Sequence, residues 1–274
     1  MEESPVTARS IFFAVLLSFF VLIVIYSKNA SNDINKVVFC NVGQGDASYV
    51  RLDHVDILID AGPDSKVVNC LGRYMPAFDK KIELVIISHP QKDHYGGLSS
   101  VVKYYKISRI IINELDGKKT LPLELKNIII KNNIYSISAY YNDSINISNG
   151  RIVFYWPTRL FTSADPNDLS MVFSLESSGF RLLYTGDITS KILSRLSRLS
   201  IGKFNVIKIP HHGSKYSLNK KFLQLADPDV AVISVSKNNS YGHPTHEVLD
   251  YLKAQNIKIK RTDLDGDVVF KLPN

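Results

Sequence analysis

Cysteine is scarce in this 274-residue chain. The two that occur, Cys40 and Cys70, lack the spacing of a metal-ligand pair. Each reads as a small buried hydrophobe, Cys40 in a strand and Cys70 in a helix-like stretch. A disulfide between them would need an oxidising compartment and close approach, and the sequence displays neither. Internal repeats and low-complexity tracts are missing too, which leaves no sign of a solenoid. Long apolar runs are limited to residues 11–26, interrupted only by Ser18. No second segment approaches that length, so a multi-span channel is excluded. As a helix the run would rise about 24 Å, slightly less than the roughly 30 Å hydrocarbon core. It is long for the apolar part of a signal peptide, and Lys28-Asn-Ala30 is a poor cleavage site. An uncleaved transmembrane anchor is therefore expected at 11–27, with a cleaved signal peptide as the other reading. Around it stand a short polar leader at 1–10, a linker at 28–35 and one domain at 36–274. Arg9 and the amino terminus balance Lys28 and Lys36 across the run, so charge does not set its direction. A short polar leader favours a single-pass protein of the cytoplasmic membrane with its domain on the extracytoplasmic side.

What remains has ordinary globular composition, 45% hydrophobic and 22% charged. Some 240 residues suffice for one α/β domain with a sizeable core. Short apolar segments at 36–40, 47–52, 55–60, 83–88, 109–113, 144–147, 151–156, 171–176, 180–184, 205–209, 230–235, 257–261 and 268–271 read as strands. Helical patterns cover 67–74, 98–105, 190–199 and 244–255, the last with Pro244 in its first turn. Residues 114–133 are ambiguous. Asn149-Gly150 signals a hairpin. Two strand-rich halves, each followed by helices, fit two sheets packed face to face with helices outside.

Residues 89–97, His-Pro-Gln-Lys-Asp-His-Tyr-Gly-Gly, carry the strongest chemical signal. They place His89, Asp93 and His94 in one turn directly after an apolar strand, where rigid scaffolds present reactive groups. Imidazole and carboxylate together suit zinc or manganese. Three more segments share this layout. Residues 181–187 end a strand in Asp187, residues 205–214 end one in His211-His212-Gly-Ser214, and residues 56–62 deliver Asp60. Four of the seven histidines thus sit at strand ends. Aspartates and histidines on consecutive strand ends can converge on one sheet edge as a metal site.

With these motifs in this order the chain resembles a metallo-β-lactamase-fold hydrolase. More narrowly, it is similar to the hydrolase domain of the bacterial competence (DNA-uptake) protein family ComEC. Phe39-Cys-Asn-Val-Gly-Gln-Gly-Asp-Ala47 resembles that branch's glycine-rich start, with Asn41 where aspartate is usual. Trp156-Pro157, Asn167-Asp-Leu-Ser170, Thr185-Gly-Asp187, Pro210-His-His-Gly-Ser214 and Tyr241-Gly-His-Pro244 follow in order, so the resemblance covers roughly residues 35–273. It implies a four-layer αββα sandwich and one or two divalent ions, zinc, manganese or magnesium. It further implies His89, Asp93, His94, Asp187 and His211 as metal ligands, with His211 and His212 open to exchange. The first ion's set is depleted, because Gln91 stands where a ligand is usual and no histidine occurs between His94 and His211. Gln91, Asn167 and Asp168 are weak replacements. Asp93, Asp187 and His212 are the expected catalytic residues. Ser214, Lys215 and His243 are candidates for phosphate contact or leaving-group protonation, or are plain surface residues. Asp46 and Asp60 are expected to hold loops.

Charge points to a substrate class. The formal net charge is +7, and between Asp187 and Asp227 there are eight Lys/Arg and no acid. Lys191, Arg195 and Arg198 share one face of the expected 190–199 helix. A basic stripe beside a metal centre favours nucleic acid, most simply DNA, as the partner. The alternatives are a solvated face, or one that meets anionic lipid. Three functions remain in play: a membrane-tethered phosphodiesterase or nuclease, a hydrolase of a small ester, lactone or phosphoester, and a silent relative that binds nucleic acid. Nothing in the chain points to a protein partner.

Overall fold

The computed structural model describes residues 8–32, 34–113 and 121–273. Its strands, in chain order, are β1 (Lys36–Phe39), β2 (Ala47–Leu52), β3 (Val55–Ala61), β4 (Lys81–Ile86), β5 (Lys106–Ile111), β6 (Tyr135–Ile137), β7 (Ser144–Ile147), β8 (Gly150–Trp156), β9 (Val172–Ser177), β10 (Phe180–Tyr184), β11 (Val206–Lys208), β12 (Val230–Ile233), β13 (Lys258–Arg261) and β14 (Val268–Lys271). They form two seven-stranded mixed sheets, ordered β14-β1-β2-β3-β4-β5-β6 and β13-β12-β11-β10-β9-β8-β7.

The period of two along each strand builds the layers. Val37 and Phe39 of β1 face the core between the sheets, together with Leu84 and Ile86 of β4 and Leu182 of β10. Their neighbours Val38, Cys40 and Val85 face outward onto the helices Lys66–Tyr74 and Leu98–Tyr104. On the second sheet, Leu183 and Ile207 face the helices Ser190–Leu196, Lys220–Ala226 and His246–Ala254. Strands buried on both faces read as unbroken apolar runs, as β4 does. This is the expected αββα sandwich.

Several expectations are corrected. Cys40 and Cys70 form a disulfide, with Cα atoms 5.9 Å apart, because the end of β1 packs directly on the helix Lys66–Tyr74. The helix Ala8–Asn32 overlies the expected anchor. Among the described residues, however, no helix is long and apolar enough to cross a membrane. This overturns the transmembrane helix and the single-pass location built on it. The basic helix ends at Leu196, so Arg198 lies beyond it. Pro244 precedes the N-cap Thr245 of the last long helix instead of opening it. Within 114–133, Leu123–Lys131 is helical and residues 114–120 lie outside the described residues.

Candidate metal centre

Parallel strands aim their carboxyl ends alike. β3, β4 and β5 run parallel in the first sheet, and β10, β11 and β12 in the second. Asp60 lies at the end of β3, and His89, Asp93 and His94 follow β4. Across the sandwich, Asp187 follows β10 and His212 follows β11. Ligand atoms of Asp93, His94, Asp187 and His212 all lie within 4.8 Å of one another.

Two hydrogen bonds fix how the imidazoles face this cluster. His94 Nδ1 donates to Asp60 Oδ2 at 2.9 Å, and His212 Nδ1 donates to the Ser234 carbonyl at 2.9 Å. Each ring therefore turns its Nε2 inward. His94 Nε2 lies 3.4 Å from Asp187 Oδ2 and 3.8 Å from Asp93 Oδ2. His212 Nε2 lies 3.4 Å and 3.3 Å from the same two oxygens. His89 Nδ1 meets Ser88 Oγ at 3.1 Å, and the Nε2 atoms of His89 and His94 are buried without a hydrogen-bond partner.

Electrostatics follow from that crowding. Burial opposes charge on His94, yet the Asp187 and Asp60 carboxylates outweigh it and hold its pKa well above the usual histidine value. His212 is raised likewise, burial being outweighed by Asp187 and Asp46. Burial opposes ionisation of Asp187 too, but His212, His94 and Lys208 hold it far below the usual carboxylate range. Asp93 falls to about 2, its burial offset by the His212 bond and the His94 charge. Burial, then His94, depresses His89 to about 3. Inward-facing imidazole nitrogens among carboxylate oxygens need a cation between them or protons on the rings. The donor set, N and O with orphaned buried Nε2 atoms, fits a divalent transition ion.

The loops that carry these groups are held by specific side chains. Gly45 has φ of 137°, and a Cβ there would lie 2.3 Å from the Asp93 carbonyl, so only glycine lets this loop close over Asp93. His211 and His212 both adopt left-handed backbone, φ 50° and 53°, a strained geometry that residues keep where function over-determines it. Lys208, 3% exposed, pairs with Asp46 and lies 3.5 Å from Asp187 Oδ1. Asp46 and Asp60 thus orient His94, His212 and Lys208 from behind, in line with a supporting role. Lys208 escaped the sequence reading because it counted only as part of a basic run. Its place on a strand otherwise apolar was the available signal.

The other expected residues are dispersed. His211 stands beside the quartet on the wall of an open pocket of about 460 Å³, shared with Gln44, Gln91, Lys92, Tyr241 and His243. His89 is outside the quartet, its ring 4.2 Å from that of His94. Gln91 Nε2 donates to Asn167 Oδ1 at 2.7 Å, so these two amides bind each other. Asp168 is bonded by Thr189, by Ser163 at 2.9 Å and by Lys191 at 3.4 Å, and is not a member of the quartet. Ser214 Oγ caps the next turn through Tyr216 N, and Lys215 lies over the Tyr216 ring. Lys191 is held by Asp168 and Arg195 lies over Phe161. Neither they, Arg198, Ser214 nor Lys215 line the pocket.

Comparison with known proteins agrees with this architecture. The model of the Metallo-beta-lactamase superfamily matches residues 40–237. The chain is 26% identical over 258 residues to ComE operon protein 3 of Bacillus subtilis, covering 87% of this chain and 33% of that protein. It is 26% identical over 264 residues to Recombination protein 2 of Haemophilus influenzae, covering 95% and 31%. To Competence protein ComA of Neisseria gonorrhoeae it is 27% identical over 261 residues, covering 86% and 32%. The expected resemblance to ComEC-family competence proteins is borne out, and the chain spans about a third of the length of these relatives. In fold it is similar to the metallo-beta-lactamase fold protein YhfI of Bacillus subtilis, with TM-score 0.59 at 12% identity, covering 86% of this chain and 100% of that one. Zn2+-bound PqqB from Methylobacterium extorquens gives the same score, identity and coverage.

Proposed function

Because the chain belongs to the metallo-beta-lactamase superfamily, we propose that it is a metal-dependent hydrolase whose substrate is a phosphodiester of nucleic acid. The observation that carries this reading is the quartet of Asp93, His94, Asp187 and His212, of which Asp93, Asp187 and His212 line an open pocket and His94 is buried behind them. These four would hold one divalent ion, with His89 at its flank. Such an ion lowers the pKa of water and stabilises negative charge that develops on an attacked phosphoryl oxygen.

The chain's own residues supply positioning and proton handling. Asp60 fixes the His94 ring, the Ser234 carbonyl fixes His212, and Lys208 holds Asp187. His211 and His243 stand on the pocket wall with their pKa values lowered, in each case first by burial. Neutral near pH 7, either can carry a proton on one ring nitrogen to a departing oxygen. A formal charge of +7 and the likeness to competence proteins support a polyanionic substrate.

The test is cleavage of single- and double-stranded DNA by purified protein with added manganese, magnesium or zinc. Asp187→Ala should abolish cleavage while leaving the thermal unfolding profile cooperative. Undiminished cleavage by that variant would refute the metal mechanism.

A further inference from the structure

One wall of the pocket is built from a feature the hydrolytic chemistry does not use. Tyr241 is 68% exposed, yet it is not a loose surface side chain. Its ring stacks on His243 at 5.9 Å and 19°, and His243 in turn meets His211 edge-on at 5.8 Å. The loop beneath is tied by one residue. Asn239 Oδ1 accepts from the backbone N–H groups of Tyr241 and His243 at 3.2 and 2.9 Å. Asn239 Nδ2 donates to the carbonyls of Ser236 and His243 at 2.8 and 2.7 Å. Ser236 N–H donates to Gln44 Oε1 at 3.3 Å, which joins this loop to the glycine-rich loop across the pocket. Tyr241 therefore lines the same pocket as Asp93, Asp187 and His212. The ring meets His243 on one side and is otherwise largely exposed.

A rigid, open aromatic face beside a phosphodiester-cleaving centre suits a flat ring attached to that phosphodiester. Stacking on an aromatic side chain tolerates any base, since every base has a π-face. In a duplex both faces of each base are already stacked, so a platform of this kind serves unpaired bases only. We propose that Tyr241, stacked on His243 at the rim of the metal centre, is a base-stacking platform that makes single-stranded nucleic acid the preferred substrate. This rests on the nuclease reading above.

The experiment compares wild type, Tyr241→Ala and Tyr241→Trp on a labelled oligothymidylate, an abasic oligomer of equal length and a duplex. Binding is read by fluorescence anisotropy without added metal, and cleavage is read separately with manganese. Wild type should bind oligothymidylate about fivefold to a hundredfold more tightly than the abasic oligomer. Tyr241→Ala should erase that preference and Tyr241→Trp should keep it. A preference that survives in Tyr241→Ala, or a variant that weakens all three ligands equally, overturns the platform. Base-selective binding without cleavage by wild type refutes the nuclease reading and leaves the platform standing. Absence of both binding and cleavage overturns both.

Discussion

Replacing Asp60 by asparagine tests the centre from a position that touches neither ion nor substrate. Asp60 is 2% exposed and has a left-handed backbone, φ 55°, which asparagine accepts. Its Oδ1 accepts from Ser88 N–H at 2.7 Å, and its Oδ2 from Ser88 Oγ at 2.8 Å and His94 Nδ1 at 2.9 Å. An amide offers one oxygen where the carboxylate offers two. The Ser88 N–H claims that oxygen, so the amide NH2 faces His94 Nδ1. His94 must then accept at Nδ1 and carry its proton on Nε2, the atom 3.4 Å from Asp187 Oδ2. A ligand needs a free electron pair there. Loss of such an orienting partner typically costs about 10- to 100-fold in metal affinity, or about 1.4–2.7 kcal/mol. Calorimetric titration of zinc or manganese into chelator-stripped protein measures it. Asp56→Asn is the control, since Asp56 lies on the same strand, fully buried, and pairs with Arg51 at 2.6 Å and Tyr49 at 2.5 Å. Breaking that pair should lower unfolding free energy by about 3–5 kcal/mol and leave metal affinity alone. Wild-type affinity in Asp60→Asn would show that His94 does not bind through Nε2.

Three further outcomes are expected. His212→Ala should lose metal affinity, whereas His211→Ala should retain the ion and lose turnover; metal analysis showing the reverse would hand the ligand role to His211. Gln91→His breaks the amide pair with Asn167 and sets an imidazole beside His89, so a second equivalent of zinc should survive dialysis against a mild chelator. Wild type already holding two such zincs would refute the depleted-site reading. In metal-free protein, His89 stays neutral down to about pH 3 when folded but titrates near 6.5 when free. Its contribution to stability is complete above pH 6.5 and is lost as pH falls toward 3. The stability gap between wild type and His89→Asn in urea should thus shrink by about 2 kcal/mol from pH 7.5 to pH 5, and a constant gap would contradict the burial argument.

Much of this was legible in the sequence because strands buried on both faces announce themselves. The segments at 47–52 and 180–184 coincide with β2 and β10, and the residues next to them, Asp46 and Asp187, mark the catalytic end of each sheet. Other features depend on distance rather than periodicity. The Cys40–Cys70 bond follows from a helix packing against β1, which no local pattern encodes. Nor does spacing choose between His211 and His212, because both adopt left-handed backbone that no sequence pattern announces. β6 is three residues long with little buried surface, too short for any periodicity to show. The apolar run at 11–26 illustrates the opposite hazard, a strong one-dimensional signal although no helix among the described residues is long and apolar enough to cross a membrane.

The quartet draws its members from both sheets: Asp93 and His94 from the loop after β4, Asp187 and His212 from the loops after β10 and β11. At the same end, Met171 N–H donates across the seam to the Ser88 carbonyl at 2.9 Å, one residue before His89. The interior between the sheets is joined by apolar contact, which is indifferent to ions and to pH, and at the far end Ser148 and Asn149 donate to Asp53. The metal end is fastened by groups that answer to ions as well as to pH. Chelation or mild acid should therefore let the two halves breathe at the mouth of the pocket while their shared interior stays closed. Amide exchange at Met171 would report it before any change in global unfolding.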